Sequence, residues 1–133
     1  MSFPRIVLFC SAVVFIAIGL MFLVAPVHWA SVVEIPLPTA MARTDLRATY
    51  GGFCLAMGGF FVICARRDGW IRPGLVALGL SAAGFGGGRL LGILLEGTAS
   101  PLMLIFCGLE TTTALVAWYL LRRLGSIDKG MAP

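Results

Sequence analysis

Residues 6–27, IVLFCSAVVFIAIGLMFLVAPV, run without a single charged side chain. Three further stretches are nearly as bare: 48–65 carries no charge, 73–95 only Arg89, and 97–121 only Glu110. A helix needs about 20 apolar residues to cross a hydrocarbon core of roughly 30 Å. Four such blocks in 133 residues leave little chain for anything else. They predict an all-α, integral membrane four-helix bundle, with helices at about 4–28, 44–66, 72–96 and 100–123, forming one transmembrane domain over 1–133. Composition agrees: charged residues make up 12%, against roughly 25% in soluble domains, too few to keep a surface wet.

The first block is longer than the core of a secretory signal, which spans about 7–15 residues before a small-x-small cleavage site. In APVHWAS the positions that want small residues hold Val27 and His28. The block therefore reads as a retained helix. Thr44 can cap the second helix, with Asp45 in its first turn where the helix dipole favours a carboxylate. Pro73 suits the first turn of the third, Gly97 its stop, and Ser100–Pro101 the cap and first position of the fourth. Pro36 and Pro38 keep the 29–43 connection from being one helix, and it is expected to lie along the membrane surface.

Basic residues are retained on the cytoplasmic side. Arg5, Arg66, Arg67, Arg72, Arg122, Arg123 and Lys129 fall on one side, and Arg43 and Arg47 on the other. Both termini are thus expected to be cytoplasmic. Trp29 then lies at the outer interface, and Trp70, Trp118 and Tyr119 at the inner one. The net charge of +4 is accounted for by topology and anionic lipid headgroups, and gives no reason to expect nucleic acid.

Cys10, Cys54, Cys64 and Cys107 form no C-x-x-C, so they read as packing residues. His28 is the one histidine, without companions for a metal site. No metal and no cofactor are expected.

The stretch GFGGGRLLGILLEG, 84–97, invites a nucleotide-loop reading. A dinucleotide loop needs G-x-G-x-x-G between a strand and a helix; here the third glycine position holds Arg89, and the run lies inside a span. Read as helix, Gly84, Gly88 and Gly92 form a stripe of period four, with Ser81 on the same face. In lipid, helices associate through small residues that admit close backbone approach. The stripe is expected to be a packing seam within the bundle, with a homodimer face as the alternative. Gly51 and Gly52, with Ala56, Gly58 and Gly59, offer similar material in the second helix.

Arg89 lies seven residues before Glu96, about 10 Å below the outer helix end at 1.5 Å per residue, and Glu110 about 15 Å below Ser100. An unpaired mid-bilayer charge costs at least ~2.5–3.5 kcal/mol, so Arg89 and Glu110 are expected to pair. Thr113 can add a hydroxyl on the same face. Arg47 and Tyr50 share a face in the second helix. With Asp45, and with Glu96, they extend a polar cluster that opens outward. Such a cluster reads first as an ionic lock, then as a pocket for an anionic or amphipathic ligand, and least as a proton or ion path.

Three motifs in order, TDLRATYGGFCLAMGGFF, GGGRLLGILLEG and LIFCGLETTTAL, resemble a bacterial family catalogued as domain of unknown function 4345. Its members are small four-helix membrane proteins, and the resemblance spans nearly the whole chain. It marks Asp45, Arg47, Tyr50, Gly51, Gly52, Arg89 and Glu110. The layout is also similar to the broader DoxX-like membrane proteins, some of which are linked to quinone redox systems. Two functions follow as expectations. One is a binding or accessory subunit docking in a larger membrane complex or on a second copy. The other is a binder of a lipid-like or quinone-like molecule at the Arg/Tyr/Glu cluster. No nucleophile–base pair or metal set argues for an enzyme.

Overall fold

The structure is a computed structural model that describes residues 2–130, with side chains through 125. Lys129, counted in the charge bias, thus has its side chain outside the described part. Every regular element among the described residues is helical. Four helical stretches are long and apolar enough to cross a membrane: Phe3–Val24, Ala40–Arg66, Asp68–Glu96 and Pro101–Gly125. The chain divides into two compact units, Met1–Asp68 and Gly69–Pro133.

The first unit holds α1 (Phe3–Val24), α2 (Pro26–Val32) and α3 (Ala40–Arg66). Pro26 decides where α1 stops. The residue before a proline is pushed out of helical dihedrals, and Ala25 sits at φ −132°, ψ 62°. The expected first helix to 28 is therefore corrected to Val24. Pro26 instead opens the short α2, at the first position, where its missing N–H costs nothing.

α2 ends in a paired carbonyl cap. Ile35 N–H donates to Ala30 O at 2.8 Å and Glu34 N–H to Ser31 O at 3.2 Å, the Schellman pattern. That pattern needs a left-handed residue, and Glu34 supplies it at φ 61°. Pro36 and Pro38 then keep the chain extended up to Thr39. Thr39 Oγ1 accepts the Ala42 N–H at 3.1 Å, so Thr39 caps α3. The expectation that Thr44 would do so is corrected. Ala40-Met41-Ala42-Arg43 are all good helix formers, and the helix simply starts earlier. Thr44 donates its hydroxyl to Ala40 O inside the helix. The α2 segment folds onto the helices around it, where Phe22, Ala30 and Leu46 are buried among Ile18, Trp29, Val33, Ile35, Leu37 and Tyr50.

α1 and α3 pack antiparallel through small residues. A Cβ built at Gly58 would lie 2.6 Å from Ile16 Cγ1, one at Gly19 2.7 Å from Leu55 Cγ, and one at Gly51 2.8 Å from Leu23 Cδ2. None of these positions has room for even a methyl group. That is how helices gain contact energy where lipid removes the hydrophobic drive. At the far end of the hairpin Arg5 Nη2 donates to Asp68 Oδ1, tying the start of α1 to the chain just past α3.

The second unit is the hairpin of α4 (Ile71–Glu96) and α5 (Pro101–Gly130). Gly97, left-handed at φ 66°, ends α4, and Ser100 Oγ accepts the Met103 N–H at the start of α5. On α4 the buried residues are Gly74, Leu75, Leu78, Gly79, Ala82 and Gly86. Positions 75, 79, 82 and 86 step by alternating four and three, the spacing of an antiparallel coiled seam. Ala114, Ala117 and Leu120 answer from α5. The faces turned outward carry Leu91, Leu94, Leu95, Leu104, Ile105 and Leu109, with Leu94 and Leu95 exposed by 71% and 75%. So much exposed apolar surface on a small chain is what a lipid-facing helix shows and a water-facing one does not.

Candidate functional site

The seam of the second hairpin positions its two charges. Arg89 lies three residues beyond Gly86, and Glu110 four before Ala114, so each continues the inward-facing row of its own helix. Gly86 lets the helices meet there: a Cβ on it would stand 3.3 Å from Glu110 Cβ and 3.5 Å from Thr111 Oγ1. One turn away Cys107 directs its thiol toward Gly86 O at 3.8 Å, a weak contact for a sulfur donor.

Arg89 Nε donates to both carboxylate oxygens of Glu110, each at 2.9 Å. The guanidinium carbon lies 5.1 Å from the centre of the Phe106 ring, within cation–π range. The side chains of Arg89 and Glu110 remain 28% and 19% exposed. A guanidinium has five N–H donors. One is shared between the two Glu110 oxygens, and the four on Nη1 and Nη2 have no hydrogen-bond partner among the described residues. Pairing satisfies the charge and leaves the far edge of the fork open.

The other anticipated residues are placed differently. Thr113 donates its hydroxyl to Leu109 O at 2.8 Å, while Thr111 and Thr112 bond Cys107 O and Gly108 O in the same way. All three threonines use their hydroxyls on their own helix, so Thr113 is not a partner of Glu110. Asp45, Arg47 and Tyr50 belong to the first unit, on or beside a stretch of π-helix, Arg47–Phe53, within α3. Arg47 Nε donates to Leu23 O at 3.2 Å. That carbonyl lies in the last turn of α1, where no helical N–H follows to bond it. Arg47 is thereby a cap for α1. Tyr50 sets its ring 5.0 Å from that of Phe22 and helps hold the α2 segment down. The Asp45 and Glu96 side chains are exposed.

The glycines split by face. Gly51 is in the first hairpin's contact, while Gly52 meets only its own helix, at Arg47 O 3.9 Å away. A Cβ on Gly84, Gly88 or Gly92 would find nothing within 4 Å. The hairpin seam uses Gly79 and Gly86 instead; Gly79 faces Trp118, at 3.3 Å from a built Cβ. Reading the sequence for glycines four apart missed this. The signal that finds it is the three–four alternation of small and apolar residues from Leu75 onward. Phe106, beside Cys107 and one turn before Glu110, was also missed.

The class this defines is a small all-helical protein with four stretches able to cross a membrane and an Arg–Glu pair set into the seam of its second hairpin. The chain belongs to the family described as domain of unknown function (DUF4345), which matches it over residues 3–121. No curated protein and no solved structure matches it.

Proposed function

We propose that this chain is a multi-pass protein of a bacterial inner membrane, both termini cytoplasmic, which binds the polar head of a lipid-like or quinone-like molecule at Arg89. The observation that carries the reading is the division of the arginine's donors: Nε–H is held by Glu110, and the Nη groups have no partner among the described residues. In hydrocarbon an unsatisfied donor costs several kcal/mol, so an acceptor that arrives with its own apolar tail is favoured there. Glu110 fixes the guanidinium, Phe106 lies within cation–π range of it, and the exposed leucines of α4 and α5 offer surface for a tail. Native mass spectrometry of protein extracted with its membrane lipids tests this. One amphiphile per site in the wild type, lost in R89Q while helicity is retained, is the expected result. An unchanged bound-lipid profile in a folded R89Q overturns it.

A second reading, an accessory subunit docking in a larger membrane complex or on a second copy, is favoured by the open stripe of Gly84, Gly88 and Gly92. Purification in mild detergent tests it. A strictly monomeric protein with no partner at stoichiometric yield counts against it.

A further inference from the structure

The geometry points to an oxyanion as the group that Arg89 takes from its ligand: a carboxylate or phosphate headgroup on an apolar tail, received by the paired Nη1 and Nη2 donors. This rests on the ligand-binding reading above and narrows it.

The argument starts from which edge of the guanidinium Glu110 occupies. A carboxylate that satisfied arginine fully would lie along an edge, with two parallel N–H···O bonds from two nitrogens. Glu110 does not do this. Both of its oxygens, at 2.9 Å, share the one hydrogen of Nε. The Nη1–Nη2 edge, opposite Nε, is left whole. Its two outermost N–H bonds are parallel and coplanar, a spacing matched by two oxygens on one carbon or phosphorus. A single oxygen, whether the carbonyl of a quinone or amide or the hydroxyl of an alcohol, cannot form the two parallel bonds this edge offers.

Two neighbours help hold the guanidinium in place. The centre of the Phe106 ring lies 5.1 Å from the guanidinium carbon, within cation–π range. Gly86 brings the α5 backbone close enough to hold Glu110 in place, which stops the fork from swinging round to satisfy itself. Glu110 acts here as a positioning residue. It also balances the arginine's charge when the site is empty, so the guanidinium can stay in the membrane without a ligand.

The test titrates purified protein in a neutral maltoside detergent with four probes sharing one chain length, dodecanoate, dodecyl phosphate, dodecanamide and dodecanol, and with inorganic phosphate. Thermal unfolding and tryptophan fluorescence report binding. Dodecanoate or dodecyl phosphate should stabilise saturably, and whichever is tighter assigns carboxylate or phosphate. Dodecanamide and dodecanol should bind about tenfold more weakly or worse, since each offers the cationic fork one oxygen and no opposing charge. R89K, which keeps the charge and loses the fork, should lose most of the affinity for the anionic probes. Equal binding of dodecanamide and dodecanoate, or full affinity in R89K, overturns the oxyanion assignment and leaves ligand binding standing. Equal binding of inorganic phosphate overturns the headgroup source. No response to any tailed probe overturns both readings. The comparison of probes on the wild type needs no variant to fold.

Discussion

Glu110 brings both of its carboxylate oxygens to 2.9 Å from one nitrogen of Arg89, and that nitrogen is Nε. The pair is therefore a hinge pin more than a closed clasp. A double-mutant cycle over R89Q, E110Q and the double variant should give a coupling of about 1–2 kcal/mol, inside the range for residues in contact. Thermal unfolding in mild detergent reads it. Additive effects of the two substitutions would show that the contact contributes nothing.

The two glycine faces of α4 should respond oppositely to bulk. G86L forces a side chain into Glu110 and Thr111 and should destabilise by about 1–3 kcal/mol, the usual cost of overpacking. G84L and G88L have open space and should change the hairpin's stability by less than about 0.5 kcal/mol. The first hairpin offers the same contrast between G58L, which meets Ile16, and G59L, which meets nothing within 4 Å. Equal losses at all five sites would contradict the assigned faces.

Arg47 should matter to the C-terminal end of α1. R47M keeps most of the apolar stem but leaves Leu23 O without its donor. The expected loss is about 1–2 kcal/mol, for a hydrogen bond made by a charged group. Hydrogen exchange should show it as faster opening of the last turn of α1 and of α2, with α4 and α5 unchanged.

Glu34 holds a left-handed conformation that costs a residue with a Cβ roughly 1–2 kcal/mol. E34G should therefore stabilise the first unit by about 0.5–1 kcal/mol, after the extra entropy glycine loses on folding. E34V, β-branched at the same dihedrals, should destabilise it. A loss of stability in E34G would mean that the glutamate side chain has a role of its own.

How far these features were legible in the sequence depends on the range of the interaction behind them. The four spans follow from solvent alone: charge-free blocks of this length have few other places to go. The end of α4 and the start of α5 were legible for the same local reason, because Gly97 and Ser100–Pro101 act on their own turns; the expected end of α5 at 123 falls short of Gly130. The end of α1 was legible in principle too, since Pro26 restricts Ala25, but the unbroken apolar run through Val27 hides it. Thr39 lost to Thr44 because Asp45 made the later start look better capped.

The site divides in the same way. Arg89 and Glu110 are the only charges within residues 73–95 and 97–121, so scarcity pairs them. Their hydrogen-bond geometry is another matter. It depends on Gly86 setting the distance between α4 and α5 and on Phe106 standing beside the guanidinium, neither of which carries a charge to draw notice. The sequence groups Arg47, on one face with Tyr50, with Arg89 in a polar cluster. The acceptor of its Nε–H is a backbone carbonyl 24 residues upstream, and no side-chain pattern records where an orphan carbonyl will fall.

The most direct measurement of the central claim is arginine guanidinium NMR on the isotopically labelled protein in detergent, with R89K identifying the Arg89 signals. E110Q should move the Arg89 Nε–H resonance and leave the Nη resonances nearly in place. Dodecanoate should move and slow the Nη–H signals while Nε–H hardly changes. An Arg89 whose Nη signals answer to E110Q and ignore every tailed ligand would be fully occupied by its glutamate, and the claim that it holds donors for a ligand would be wrong.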